Sequence, residues 1–289
     1  MVSNVFDYSE SESSSEIRKL LDAARHGDAT AQFRLGVRYV SGDGVRKSIE
    51  DAVKWVRKAA ENGHAEAQHK LGQWYNLGIG VTKNSSEAFK WWLKSAVQGY
   101  APAQYDIGAS YGNGYAVQRN DREAAMWFRK AAEQGLDVAQ FELARCYQLG
   151  WGVARDYAEA AKWYSKAANH GHAIAQLALG VAHEDGLGVP KDPEKAFYWY
   201  SKSAESGCAQ AQARLGLGFL RGDRVKKSMK AAVKWFRKAA DQGNAEGKFL
   251  LGYCYEYRMD NKDEAVKWYK LAAEKGHEEA KEALKRLGQ

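Results

Sequence analysis

The apolar positions of this chain recur with one long period. Leu35-Gly36 returns as Leu71-Gly72, Ile107-Gly108, Leu143-Ala144, Leu179-Gly180, Leu215-Gly216 and Leu251-Gly252, always 36 residues on. A second column is tryptophan: Trp55, Trp91, Trp127, Trp163, Trp199, Trp235 and Trp268. An aromatic usually follows it, as in Trp92, Phe128, Tyr164, Tyr200, Phe236 and Tyr269, and paired alanines such as Ala59-Ala60 and Ala239-Ala240 come next. A fixed period of this length is the mark of a repeat array. Each repeat predicts two helices. Helix A begins near Ala31 and carries Leu35 and Tyr39 at i+4, a single apolar stripe; helix B carries the tryptophan. The seventh repeat is three residues short before Trp268, so the last equivalent of Leu35 is Leu284.

Local punctuation agrees with this division. Helix A runs into glycine loops: Gly42-Asp43-Gly44-Val45, Gly78-Ile79-Gly80-Val81, Gly114-Tyr115-Ala116-Val117, Gly150-Trp151-Gly152-Val153, Gly186-Leu187-Gly188-Val189 and Gly222-Asp223-Arg224-Val225. Helix B then opens on Ser48, Asn84, Asn120, Asp156, Asp192, Ser228 or Asn261, all residue types whose side-chain oxygen accepts from an orphan helix N–H. Asp51, Glu87, Glu123, Glu159 and Glu264 follow three positions on, adding favourable charge to the first turn. Helix B ends at Gly63, Gly99, Gly135, Gly171, Gly207, Gly243 and Gly276. The recurring glycine after Leu35 costs its helix about 1 kcal/mol, so close packing of a neighbouring helix must outweigh that penalty.

The expected organisation is a disordered acidic and serine-rich tail over 1–15, an N-terminal capping helix over 16–27, seven helix pairs over 28–276 and a C-terminal capping helix over 277–289. Glu278, Glu279, Lys281 and Lys285 suit an exposed end. No apolar run is long enough to span a membrane, and the N-terminus lacks a signal-peptide pattern. Three cysteines are too few for a disulfide framework. Cys146 and Cys254 share a column three repeats apart, beyond bridging distance. The expected state is three free thiols in a reducing compartment, with a cytoplasmic, monomeric protein.

The pattern Ala-x-Ala-Gln-x-x-Leu-Gly-x-x-Tyr, Gly-x-Gly-Val, then Ala-x-x-Trp-Tyr-x-Lys-Ala-Ala-x-x-Gly resembles the Sel-one-like repeat (SLR), a branch of the tetratricopeptide superfamily. His64-Ala65-Glu66-Ala67-Gln68-His69-Lys70-Leu71-Gly72 and residues 158–168 are near-ideal copies, and the resemblance spans 16–287. It implies an all-α fold, a right-handed α-solenoid or superhelix of antiparallel helix pairs, with helix A on the concave side. It also implies a non-enzymatic adaptor for a protein or peptide partner, of the bacterial regulatory or immunity type among other roles. A cysteine-rich branch, linked to penicillin binding, carries a disulfide in every repeat. Binding of cell-wall fragments or β-lactamase-like activity is therefore an alternative, from which this chain departs by lacking paired cysteines.

No chemistry-bearing motif competes with the scaffold reading. The chain has seven histidines. His64, His172 and His277 share the start of helix A and are too dispersed to converge on a metal, while His170 and His172 flank Gly171. No His-Glu-x-x-His or Cys-x-x-Cys occurs. His183 stands where most repeats have the helix A tyrosine and reads as a satisfied core histidine. The Gly-x-Gly-Val loops lack the strand and third glycine of a dinucleotide site. Neither cofactor nor metal is expected, and no nucleophile–base pair can be assembled. The net charge of +7 is carried largely by lysines and arginines of helix B: Lys54, Lys90, Lys162, Lys234 and Lys267 before the tryptophan, and pairs such as Arg57-Lys58 after it. Their stems are expected to cover the aromatics. Non-specific nucleic-acid binding along this stripe is the second alternative.

The partner site follows from the side of helix A opposite Ala31, Leu35 and Tyr39. In repeats 1 to 3 those positions are polar or small: Thr30, Arg34, Ser41, Glu66, Gln73, Asp106 and Asn113. In repeats 4 to 7 they become Val138, Arg145, Leu149, Ile174, Val181, Leu217, Arg221, Leu250, Tyr253 and Tyr257. The fold does not need outward apolar side chains, and a contiguous patch marks an interface. The expected site is this C-terminal half of the groove, centred on Arg221, Tyr253 and Tyr257.

Overall fold

Local capping and close helix packing together produce the architecture seen in the computed structural model, which describes residues 8–222 and 225–289, with side chains from residue 15 onward. Residues 1–7 of the tail, and Asp223 and Arg224 of the sixth glycine loop, lie outside the described residues. Among the described residues there are sixteen helices and no strand. A capping helix, α1 (Tyr8–Arg25), precedes seven pairs. These are α2 (Ala29–Ser41) with α3 (Ile49–Glu61), α4 (Ala65–Leu77) with α5 (Ser85–Val97), α6 (Ala101–Asn113) with α7 (Asp121–Glu133), and α8 (Asp137–Leu149) with α9 (Tyr157–Asn169). They continue as α10 (Ala173–Asp185) with α11 (Pro193–Glu205), α12 (Ala209–Arg221) with α13 (Met229–Asp241), and α14 (Ala245–Arg258) with α15 (Lys262–Ala273). The terminal helix is α16 (Glu278–Arg286). The chain is an α-solenoid of stacked helix pairs in two compact units. One runs to Ala139 and takes in Trp151–Val153; the other comprises Gln140–Gly150 and Ala154–Gln289.

Every helix B starts on its expected cap. Ser48 accepts from the Asp51 amide, Asn84 from Glu87, Asp192 from Lys195 and Asn261 from Glu264. The backbone amide of the same cap residue closes the loop onto helix A: Ser48 N–H donates to the Tyr39 carbonyl at 3.0 Å, and Asn84 to Tyr75 at 2.8 Å. Two members of the histidine column, His64 and His172, cap helix A through their side chains. Nδ1 of His64 and of His172 accepts from the amide three residues on, each at 3.2 Å, and the rings stack on Phe33 and Phe141.

The glycine beside Leu35 is there because of the next helix. A Cβ on Gly72 would stand 2.5 Å from Cδ1 of Trp92, and one on Gly180 2.5 Å from Cε1 of Tyr200. In the six copies that carry this glycine, the residue after the tryptophan fills the notch it leaves. The tryptophans themselves depart from expectation in three copies. Trp55, Trp91, Trp127 and Trp163 are buried, whereas Trp199, Trp235 and Trp268 are only half-buried. Lysines three residues on lie over the rings, Lys94 at 4.1 Å from Trp91 and Lys166 at 3.8 Å from Trp163.

The termini bring one correction. Residues 8–15, expected in a disordered tail, belong to α1. The segment has neither proline nor glycine, and a helix already nucleated by its packed end extends at little cost per residue. At that packed end Ala24 is buried against Leu35 and Trp55, with Leu20 and Leu21 beside it. At the other end, Ala280 and Ala283 pack on Tyr269 and Ala272. The three-residue deletion in the seventh repeat removes the glycine loop, and Asp260, at φ 48°, takes the left-handed conformation there.

Candidate functional site

The helix A columns of the second unit contain most of the expected partner site. Ile174 (53%), Leu149 (47%) and Tyr257 (48%) are well exposed, as is Arg221. Arg145 and Val181 are half-buried. With Ile174, they border a hollow of about 250 Å³ that also includes Phe141, Gln148 and Tyr164. Arg145 pairs with Glu142 at 2.9 Å. Leu217 and Arg221 border a second hollow of about 250 Å³ with Glu184, Phe197, Tyr200 and Arg214. There, Tyr200 donates its hydroxyl to Glu184 at 2.5 Å, and Arg214 lies 2.7 Å from the same carboxylate. Burial, reinforced by that bond, holds the Tyr200 phenol well above its ordinary range.

Three members of the predicted set do not stand free. Leu250 is 6% exposed, inside the core cluster of α12, α13 and α14. Leu217 and Tyr253 are half-buried against that cluster. The reason is that α12 and α14 touch directly, so a side chain pointing away from helix B still meets the next helix A. Tyr253 also packs on Tyr257, with ring centroids 4.9 Å apart, and Arg286 of α16 lies 5.3 Å from the Tyr257 ring. Val138 is half-buried and belongs to the first unit, apart from the other nine.

The first unit holds a feature that the polar helix A columns concealed. A cleft of about 1190 Å³ is bounded by α1, α2, α4 and the start of α6. The positions read as polar or small, among them Thr30, Arg34, Ser41, Glu66 and Gln73, border it together with Phe33, Val37 and Tyr100. His69, also on the cleft wall, is buried with Nε2 2.8 Å from Oδ2 of Asp106. Burial, and then the Glu66 charge, raises the Tyr100 phenol above its ordinary value. Concavity comes from how the helices are spaced, which residue type does not record.

Helix B is electrostatically quieter than its lysine count suggests. Lys90, Lys162 and Lys267 each meet the glutamate three residues earlier, at 2.7, 3.0 and 2.6 Å. Cys146 and Cys254 are buried and Cys208 is half-buried, all as free thiols. Among the described residues no three His, Cys, Asp or Glu side chains converge as a metal site, and no helix is long and apolar enough to cross a membrane.

Capped helix pairs, a glycine notch filled by the next aromatic and a repeat of 36 residues define a helical-repeat interaction fold. The Sel1 repeat family model matches seven consecutive segments, 29–64, 65–100, 101–136, 137–172, 173–208, 209–244 and 245–277. The chain belongs to the Sel1 repeat family, within the tetratricopeptide-like superfamily. It is similar to a protective antigen of uropathogenic Escherichia coli that displays the same fold. That match has 35% identity and a TM-score of 0.87, covering 95% of this chain and 60% of that one. A Sel1 repeat protein from Oxalobacter formigenes is 33% identical with a TM-score of 0.74, covering 98% of this chain and 83% of that one. A search of curated proteins found no significant match.

Proposed function

We propose that this protein is a non-enzymatic scaffold that holds a peptide or a protruding element of a protein partner on the helix A face of its second unit. The observation that carries the reading is the run of exposed Leu149, Ile174 and Tyr257 accompanied by Arg145 and Arg221. Leu149, Ile174 and Tyr257 leave about half of their surface to solvent. Aromatic and arginine side chains are the usual energetic anchors of protein interfaces. The finer reading is a bacterial regulatory or immunity-type adaptor, in keeping with the two bacterial relatives of the same repeat. A partner is identified by pull-down with crosslinking and mass spectrometry. Ile174→Asp combined with Tyr257→Ala then weakens its capture at least tenfold while the helical circular dichroism stays unchanged. Tyr253 is left intact because it contributes to the core. Unchanged capture by the folded double variant refutes the site.

A further inference from the structure

Because the repeats share one structural pattern, departures from it that meet in space point to something other than folding. An arginine of helix B can clasp the helix A tyrosine eighteen residues later. Arg57 donates to the Tyr75 hydroxyl at 2.9 Å, and Arg237 to the Tyr255 hydroxyl at 2.8 Å. Other copies lack the arginine, as in Leu93 with Tyr111 and Ser201 with Phe219, and between α9 and α10 the equivalent pair is Ser165 and His183. Both side chains are shorter, and a cavity of about 480 Å³ opens where the clasp would lie. Trp199, which borders it, is half-buried.

Two further departures border the same cavity. Lys195 stands in the column that is acidic in five other repeats, and Tyr198 in the column that is lysine in five. Tyr198 is 52% exposed and meets Trp199 edge to face at 5.0 Å. With Lys162 the cavity has two ammonium groups on its wall and no carboxylate; its remaining surface is alanine, leucine and valine. Lys162 and Lys195 are exposed and pair with half-buried Glu159 at 3.0 Å and half-buried Asp192 at 3.2 Å; ion pairs at the surface contribute little, so another anion can compete for the lysines. His183 is buried with Nδ1 3.4 Å from the Pro190 carbonyl. Ser165, on the same wall, is half-buried.

We propose that this cavity is a binding site for a small aromatic anion, an aryl carboxylate or aryl phosphate. Its ring packs against Trp199 and Tyr198, its charge is met by Lys162 and Lys195, and Ser165 and His183 supply hydrogen bonds at the floor. The volume falls in the range of small-molecule sites, where an apolar lining binds and a few polar groups orient. The site is separate from the partner face of helix A, so either can fail without the other.

The test is calorimetric titration of the full chain with phenyl phosphate, benzoate, phenol and inorganic phosphate. At least one aryl anion binds saturably at one site per chain, at least tenfold tighter than phenol or inorganic phosphate, and the stronger of the two anions identifies the headgroup. Ser165→Arg with His183→Tyr restores the clasp used elsewhere in the chain. It retains the melting temperature and loses at least tenfold in affinity. Lys162→Gln with Lys195→Gln weakens the aryl anion at least fivefold and leaves phenol unchanged. Saturable binding by neither aryl anion, undiminished binding after the clasp is restored, or inorganic phosphate binding as tightly as phenyl phosphate overturns the proposal.

Discussion

The side-chain amide of Gln98 donates to Oε1 of Gln68 at 2.7 Å, and Gln68 in turn donates to the backbone carbonyl of Ala60 at 3.0 Å. One buried glutamine thus joins three consecutive helices: the end of the preceding helix B, its own helix A and the end of the following helix B. The arrangement recurs. Gln134 donates to Gln104, which donates to Ala96, and Gln242 to Gln212, which donates to Ala204. Gln68→Ala removes two hydrogen bonds, to the Ala60 carbonyl and from Gln98, and is expected to cost about 1–3 kcal/mol, while Gln98→Ala, at an exposed position, removes the second of these and costs about 0.5–1.5 kcal/mol. Urea unfolding measures both. Equal losses would mean that the Gln68 bond to Ala60 contributes nothing beyond the Gly63 amide that the same carbonyl accepts at 3.1 Å.

Gly72→Ala is expected to destabilise even though alanine is the better helix former by about 1 kcal/mol. The added methyl would stand 2.5 Å from Cδ1 of Trp92, which is itself buried. Overpacking of this kind costs about 1–3 kcal/mol. A raised melting temperature for Gly72→Ala would show that the two helices can part at no cost.

Trp127, 7% exposed, contributes nearly its whole ring to the core. Trp127→Ala is expected to cost about 3–5 kcal/mol. Trp199→Ala should cost distinctly less, because one side of that ring faces the cavity. Denaturant melts of the two variants check the order, and a reversal would contradict the packing described.

Burial pushes the Cys254 thiol up from 9.0 to about 11, with Arg258 pulling weakly the other way. The folded state holds this proton more tightly than the unfolded state. The associated stability is complete below 9.0 and is lost as pH rises through about 11. Cys254→Ala removes this dependence, so the stability advantage of the parent chain over the variant shrinks across that interval. Chemical unfolding at a series of alkaline pH values reads it, and parallel profiles would contradict the shift. Iodoacetamide on the folded protein should modify half-buried Cys208 well ahead of Cys146 and Cys254.

Features made by near neighbours in the chain were legible in the sequence. Ser48 caps the amide three residues on, and Gly63 follows its helix in a left-handed conformation; both are properties of a few consecutive residues. The period of 36 then multiplied each local inference over the whole chain. Gly72 was read as a packing residue because its recurrence had to offset a known helix penalty, although its partner, Trp92, emerged only from the coordinates.

Relations between one element and another in space were decided by tertiary structure. A helical wheel shows that Leu250 points away from the tryptophan column, but not whether water or the next helix A lies there; the contact of α14 with α12 buries it. Gln68 was visible as a recurring letter whose role depends on atoms eight and thirty residues away. Ser165, His183, Lys195 and Tyr198 are each a plain substitution in a column. They become one candidate site only because α9, α10 and α11 pack side by side and the missing clasp leaves space between them. Periodicity determined which faces each helix has, since that follows from 3.6 residues per turn. Whether a face meets solvent, a neighbouring helix or a cavity depends on the distances between helices, and those were set by side-chain volume at contacts far apart in the chain.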